Sequence, residues 1–294
     1  MTIWGSLSRK SRALLFAAIV LSIALRFGLA YHLRGDFEDR GNRYSTIVPT
    51  AESLVEGKGF VLDEGRPTAL NEPFYVLVVA GNMLLTGGSW WGLTVIQTLI
   101  GLLGALLLAY VAYESMESSQ VALFTFIGYI LYPFYITQSI SVIDTTLFAF
   151  LISLSIFLFW RLYRYSQYYY VILAGCAIGL MVLTRQGSLV VAGAMMLWLL
   201  ISSRFRKRQI IRVVQIVCVS LLIATPWIYR NYQYTGKIFI STHGASELWF
   251  GHNDSTESVL RRDVSVDILR RYKSDMISGY DSAIASKYCN TLVA

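Results

Sequence analysis

The sequence predicts an all-α polytopic membrane protein, and its composition and the arrangement of its apolar residues support this class. Of its 294 residues, 55% are hydrophobic and only 15% are charged, against about a quarter charged in an ordinary soluble domain. The mean hydropathy is +0.53. The apolar residues gather in stretches of about the length that crosses a bilayer. Basic residues cluster at the ends of these stretches, notably in residues 9–12 before the first stretch and in residues 204–208 between the last two.

Seven apolar segments are candidate transmembrane helices, and each is bounded by charged or polar residues. They are residues 14–31, 91–113, 121–139, 145–160, 168–184, 187–203 and 213–229. The first segment follows a basic flank and lacks a small-residue cleavage site, so we interpret it as a retained span and not as a cleaved signal. The N-terminus is therefore expected in the cytoplasm.

An eighth apolar stretch, residues 74–86, is too short to cross the membrane comfortably. Its 13 residues reach only about 20 Å as a helix, against a hydrocarbon core of ~30 Å. The positive-inside rule places both basic clusters in the cytoplasm, which requires an even number of crossings between them. We therefore predict a re-entrant or interfacial helix at 74–86. This topology makes the turn at 114–120 cytoplasmic, although it carries Glu114 and Glu117 and no basic residue.

The predicted location is the cell membrane, of the bacterial inner or plasma membrane type. Residues 1–230 are expected to form the membrane module, with an outer loop at 32–72, and residues 231–294 an extracytoplasmic C-terminal segment.

The net charge of +7 comes from basic residues that cluster at the membrane edges. Because no helix-turn-helix, zinc-finger or RNA-binding signature occurs, the sequence argues against a nucleic-acid partner.

The outer loop and three single residues are the candidate functional positions. A loop as long as residues 32–72 is uncommon unless it carries function, whereas its charge content alone favours an ordinary solvated loop. Asp144, Arg185 and Arg230 fall at the predicted outer ends of spans, on the same side as this loop. Ionisable residues at membrane depth are costly and usually face a cavity or a partner. Each alone fits a snorkelling or helix-end side chain equally well. Their common side favours a site.

Five motifs follow one another along the chain. The first combines Arg43-Tyr44 with AESLVEGKGF at residues 51–60, and the second is RPTALNEPFY at 66–75. The others are LTR at 183–185, TPWIYRNY at 225–232, and STHG with LWFGHN at 241–253. Together they resemble the GT-C superfamily of membrane glycosyltransferases, in the branch of the protein O-mannosyltransferases and aminoarabinose transferases, glycosyltransferase family 39. The resemblance covers roughly residues 14–255.

This resemblance implies a cell-envelope transferase that moves a sugar from a polyprenyl-phosphate carrier to an acceptor at the outer face of the membrane. The acceptor would be a lipid, a polysaccharide or a protein. The resemblance also implies a shared bundle of seven spans. Such a reaction needs a carboxylate to accept the proton of the acceptor hydroxyl, and cations to stabilise the leaving phosphate.

The resemblance also implies roles for individual residues. Asp39 lies closest to the first-loop aspartate of the family and is the expected base. Glu38 and Asp36 stay open as alternatives, because Asp39 is about one residue farther from Tyr44 than the family pattern has it. Asp144 resembles a second acidic residue, which would hold the acceptor, a divalent ion or the first carboxylate. The expected ligands of the donor phosphate are Arg185, Arg230, Lys58 and Arg66. The expected substrate contacts are Tyr44, Glu72, Tyr75, His243 and Asn253.

Cofactors and alternative functions follow from the same residues. No histidines or cysteines stand at metal-ligand spacing, so no metal site is predicted, and carboxylates would favour magnesium or manganese if a divalent cation binds. A secondary transporter or lipid flippase would also place charges at helix ends, although the sequence shows no internal repeat. A non-catalytic scaffold with the same fold would explain a C-terminal segment shorter than in the family.

Overall fold

The described residues up to 240 fold into a helical bundle with one short hairpin, in agreement with the all-α prediction. The computed structural model describes residues 7–44, 46–62 and 66–241, except for the side chains of residues 34–44 and 66. The helices of this part are α1 (Arg9–Tyr44), α2 (Ile47–Val55), α3 (Pro73–Thr86), α4 (Trp90–Met116), α5 (Ser119–Ile130), α6 (Pro133–Ser139), α7 (Thr145–Tyr165), α8 (Tyr169–Val182), α9 (Ser188–Ser202) and α10 (Lys207–Thr235). The hairpin pairs β1 (Val61–Leu62) with β2 (Arg66–Pro67) in antiparallel register.

The helices confirm a polytopic membrane protein. Helices α1, α4, α7 and α10 are long and apolar enough to cross a membrane, and α5 with α6 would make a fifth span. Many large apolar side chains on these helices are exposed, among them Phe16, Leu103 and Leu222. Such a surface is typical of helices that face lipid and is unusual on a soluble monomer. The compact unit that contains these helices ends at Ile240, and the predicted division at residue 230 stays a prediction.

Two of the seven predicted spans are short. Helices α8 and α9 coincide with predicted spans, but they have 14 and 15 residues and reach only about 22 Å. Helix α3, which the sequence predicts not to cross, also has 14 residues. Helix length therefore does not explain why α8 would cross the membrane and α3 would not. The seven-span topology stays a prediction that rests on the basic clusters.

The predicted span at residues 121–139 is not a single straight helix, because the helix breaks between α5 and α6. Their axes differ by 51°. Pro133 begins α6, and a proline has no N–H to donate and disfavours a helical conformation in the residue before it. Tyr132 is accordingly extended, with ψ of 118°.

The predicted outer loop is also more regular than expected. Helix α1 continues to Tyr44, well past the predicted start of the loop at residue 32, and α2 follows after two residues. No proline interrupts residues 9–44, and the arginine, glutamate and leucine among them have high helix propensity. The loop prediction overlooked this because it counted charge and not propensity.

Helices α8 and α10 pack closely through two glycines. A Cβ atom at Gly175 would lie 2.5 Å from Cβ of Val219, and one at Gly179 would lie 2.8 Å from Cβ of Ile223. Glycines four residues apart lie on one face of a helix, which is the small-residue pattern that lets membrane helices approach closely. This packing places the C-terminal halves of α8 and α10 side by side, where the candidate site begins.

Candidate functional site

One end of the bundle contains the turns that follow α4, α7 and α9, which the sequence predicts to be cytoplasmic. We call it the basic end. Glu114 at the end of α4 accepts hydrogen bonds from Tyr110 (2.6 Å), Trp160 (2.9 Å) and Tyr165 (3.1 Å). Its Oε1 atom also lies 3.3 Å from Nη1 of Arg161 near the end of α7. The acidic turn after α4 is therefore charge-paired with a basic helix end, which accounts for its lack of a basic residue of its own.

At the opposite end, Asp144 and Arg185 form a two-point ion pair. Arg185 donates from Nε to Asp144 Oδ2 (2.9 Å) and from Nη2 to Oδ1 (2.5 Å), and its guanidinium lies 5.0 Å from the ring centre of Phe148. Asp144 is the N-cap residue of α7, and Arg185 follows the end of α8. The side chain of Asp144 is 18% exposed and that of Arg185 is 42% exposed. The pair is therefore more accessible from the arginine.

Glu72 brings a second carboxylate to this end. It is the N-cap residue of α3, but its side chain does not cap that helix. Its Oε1 atom instead accepts a hydrogen bond from the backbone N–H of Gln186 (3.3 Å). Two residues later, the N–H of Phe74 donates to the carbonyl of Leu183 (3.0 Å). These bonds fasten the start of α3 to the connection that carries Arg185.

A buried hydrogen-bond network holds the segment that leads to Asp144. Gln97 of α4 is 2% exposed and donates from Nε2 to the carbonyls of Ser139 (3.2 Å) and Ser141 (2.9 Å). Its Oε1 atom accepts from the hydroxyl of Tyr75 on α3 (3.2 Å). The network joins α3, α4 and the α6–α7 connection.

Arg26 of α1 belongs to the same region, and sequence reasoning missed it. It is 2% exposed and donates to Ser139 Oγ (3.0 Å) and to the carbonyl of Ile130 (3.1 Å). Ile130 ends α5, and the break before Pro133 leaves its carbonyl in need of a donor. The available signal was a single arginine inside an apolar span, which is a functional or structural position by default.

Arg230 near the end of α10 holds the hairpin. It donates from Nη1 to the carbonyl of Thr68 (2.7 Å) and from Nη2 to the carbonyl of Phe60 (2.7 Å), and these two residues flank the hairpin. The rings of Trp227 and Tyr234 lie 4.7 and 5.0 Å from its guanidinium carbon. Carbonyl oxygens satisfy the hydrogen bonds of Arg230 without cancelling its charge.

Other residues of the TPWIYRNY motif at 225–232, to which Arg230 belongs, bind the segment that follows α10. Trp227 donates from Nε1 to the carbonyl of Ile240 (2.6 Å). Asn231, which is 1% exposed, donates from Nδ2 to the carbonyls of Phe239 (3.2 Å) and Ile240 (3.0 Å). The Thr-Pro-Trp and Arg-Asn motif therefore has a packing role in addition to any role in binding.

A cavity of about 460 Å³ lies between α3, α10 and the hairpin. Its walls combine apolar and aromatic side chains with two cations, Lys58 and Arg230. Pro73 and Leu183 also line it, and they adjoin Glu72 and the connection to Arg185 in the chain. The cavity and the Asp144–Arg185 pair therefore share the chain segment at the end of α8, which contributes Leu183 to the cavity and Arg185 to the pair. Lys58 is paired with Glu56 (2.6 Å), so the positive charge of Arg230 is the one that its partners leave uncancelled. Apolar walls beside such a charge suit an amphipathic anion.

The structure thus brings Glu72, Tyr75, Asp144 and Arg185 together, and it places Lys58 and Arg230 on the adjoining cavity. Several predicted residues lie outside the described residues, either as side chains or entirely: Asp36, Glu38, Asp39, Tyr44, Arg66, His243 and Asn253. In the described part of the chain, no three Asp, Glu, His or Cys side chains form a group that could hold a metal ion.

The comparisons with known proteins place the chain only at the level of a family. A family model for a predicted membrane protein, DUF2079, matches residues 74–271, which is more than half of the chain. The matched region includes Asp144, Arg185 and Arg230. No curated protein and no solved structure matches the chain.

Proposed function

The chain belongs to the DUF2079 family of predicted membrane proteins, and on that premise we propose that it is a glycosyltransferase with a polyprenyl-phosphate sugar as donor. The observation that carries the proposal is the cavity between α3, α10 and the hairpin, which shares the end of α8 with the Asp144–Arg185 pair. Its apolar and aromatic walls suit a prenyl chain, and Lys58 and Arg230 suit the phosphate. We assign the approach of the acceptor to the end of the bundle that carries Glu72 and Asp144.

In the proposed reaction, the acceptor oxygen bonds to the anomeric carbon while the bond from that carbon to the phosphate oxygen breaks, with inversion. A carboxylate takes the hydroxyl proton, and the lipid phosphate leaves with the bonding electron pair. Fixed cations stabilise the charge that develops on the phosphate. The acceptor is a lipid, a polysaccharide or a protein.

The carboxylates divide these tasks. Asp144 is held at both oxygens by Arg185, so it is poorly placed to take a proton while the pair is intact. We assign it to positioning the acceptor or the base. Asp39 remains the expected base, with Glu38 and Asp36 as the alternatives. Arg230 contributes charge to the phosphate site, since its described hydrogen-bond partners are neutral oxygens.

The test is transfer from a panel of radiolabelled polyprenyl-phosphate sugars by the purified protein in liposomes. We expect transfer by the wild type and a loss of about 100-fold or more in Asp39→Asn, the usual range for a general base. Arg230→Gln should reduce transfer both by removing charge from the donor site and by removing the hydrogen bonds to the hairpin. Glu52→Gln removes a carboxylate from an exposed position on α2 and is the matched control, with transfer unchanged.

A secondary transporter or lipid flippase is the second candidate, and the bend between α5 and α6 favours it, because transporters use broken helices. Movement of a fluorescent lipid phosphate across the liposome membrane without group transfer would support this candidate. Binding of the lipid with neither movement nor transfer would instead support a non-catalytic scaffold.

A further inference from the structure

The basic end carries a charged surface that the proposed function does not use. Its exposed cations lie at the end of α7 and around the turn from α9 to α10: Arg164, Arg204, Arg206, Lys207 and Arg208. Among the described side chains, the acidic residues of this end are Glu114 and Glu117, and Glu114 is already paired with Arg161. The charge of this surface is therefore unbalanced within the described part of the protein.

Two guanidinium groups converge on Ser166, the residue that follows α7. Arg212 donates to the hydroxyl of Ser166 (3.2 Å) and to its carbonyl, and Nη2 of Arg208 lies 3.5 Å from the same carbonyl oxygen. Arg212 also donates to Gln209 (3.2 Å). Within the described residues, neither arginine contacts a carboxylate. Like charges that share one neutral acceptor repel each other, and an anion beside them relieves the repulsion.

The turn between α9 and α10 presents an aromatic side chain next to these cations. Arg204 and Phe205 both have φ of 52°, a left-handed conformation that residues other than glycine rarely adopt. Phe205 is 56% exposed at this turn. Tyr165 at the end of α7 and Tyr168 just before α8 are also exposed. Aromatic residues beside cations are typical of positions at the headgroup level of a membrane.

An apolar stripe leads away from Arg208 along α10. Ile210, Ile211 and Val214 are 43%, 48% and 55% exposed and follow the basic cluster directly. A ligand that combines an anionic group with acyl chains would contact both features at once, whereas free phosphate would contact only the cations. The arrangement therefore selects a lipid over an inorganic anion.

We propose that the surface formed by Arg164, Arg204, Arg206, Lys207 and Arg208 binds an anionic phospholipid. Its phosphate lies at the exposed guanidinium of Arg208, which forms charge-assisted hydrogen bonds with it, next to the buried charge of Arg212. Its acyl chains follow the apolar stripe of α10. Basic pockets between membrane helices bind anionic headgroups in this manner. This site does not depend on glycosyl transfer.

The test titrates the full-length protein in neutral detergent with short-chain phosphatidylglycerol, with phosphatidylcholine of the same chain length, and with inorganic phosphate. We expect a saturable rise in the unfolding temperature with phosphatidylglycerol only, and bound lipid in native mass spectra. Arg206→Gln with Arg208→Gln should weaken the apparent affinity by about tenfold or more. Arg9→Gln with Lys10→Gln removes equal charge from exposed positions at the same end and should leave it nearly unchanged.

Three results would overturn the proposal. Equal shifts with both phospholipids would show that the headgroup charge is not recognised, and a full shift with phosphate alone would show a free-anion site. Equal weakening in the two double variants would show general electrostatic attraction. Since all four substituted side chains are exposed, circular dichroism should show unchanged helix content. Arg208→Lys keeps the positive charge but loses the planar guanidinium that can bind a phosphate through two N–H groups. This variant should bind phosphatidylglycerol more weakly than the wild type.

Discussion

Arg185 contacts Asp144 at both carboxylate oxygens, at 2.9 and 2.5 Å, and so joins two residues that are 41 positions apart in the chain. The contact ties the start of α7 to the connection between α8 and α9. The sequence predicted the two residues separately, one as an acidic site residue and the other as a phosphate ligand. Their pairing means that an incoming anion or acceptor must compete with an existing partner, which makes the pair a candidate point of control.

The Asp144–Arg185 pair should contribute measurably to stability. In a double-mutant cycle with Asp144→Asn and Arg185→Gln, we expect a coupling free energy of about 1–2 kcal/mol, because the geometry is bidentate and Asp144 is largely buried. Unfolding in mixed detergent micelles measures it.

The exposed pair of Lys58 and Glu56 is the matched control for that cycle. Its atoms are 2.6 Å apart, but the side chains are 65% and 57% exposed. Its coupling should be no more than about 0.5 kcal/mol, because water screens exposed ion pairs. Equal coupling in the two cycles would contradict a structural role for the Asp144–Arg185 pair.

Close packing of α8 on α10 should fail when a side chain is added at the contact. Gly175→Leu should destabilise the protein by about 1–3 kcal/mol. A Cβ atom at this position would lie 2.5 Å from Cβ of Val219 and 3.0 Å from the carbonyl oxygen of Ile216. Gly193→Leu on α9 is the control, since nothing lies within 4 Å of a Cβ there. Similar losses in the two variants, measured by unfolding in mixed micelles, would argue against a specific contact.

The hydrogen-bond network around Gln97 should contribute more to the stability of the protein than a single hydrogen bond does. Gln97→Leu leaves the carbonyls of Ser139 and Ser141 and the hydroxyl of Tyr75 without this partner, at a cost of about 2–4 kcal/mol for buried polar groups. Gln120→Leu removes one bond, to Ser11, at an exposed position and should cost less than about 1 kcal/mol. Thermal unfolding of both variants compares them. A small effect at Gln97 would mean that water replaces the lost bonds.

The predicted topology can be tested by labelling with a membrane-impermeant maleimide in a variant without Cys176, Cys218 and Cys289. Glu52→Cys and Ser89→Cys should react from outside intact cells, since α3 is predicted not to cross. Lys207→Cys should react only after the cells are opened. Labelling of Glu52→Cys and Ser89→Cys from opposite sides would show that α3 crosses the membrane.

Sequence patterns that depend on local chemistry predicted the structure well. Hydrophobicity and length identify the four long helices, because a helix in lipid must satisfy its own backbone and expose apolar side chains. Pro73 at the start of α3 and Gly87 after its end mark that helix correctly. Pro133 carried the same kind of information, and an interpretation that weighed proline above hydropathy would have found the break there.

Features that depend on partners were decided only by the tertiary structure. The apolar composition and the spacing of basic clusters determined by themselves that the chain is a polytopic helical protein and which residues stand at helix ends. The partner of Arg185, the burial of Arg26 and the neighbours of Gly175 depend on which helix faces which, and hydropathy is nearly the same on every lipid-facing helix. In lipid, helices select their neighbours by close packing and polar contacts. Those contacts join residues far apart in the chain, so only the folded bundle shows them.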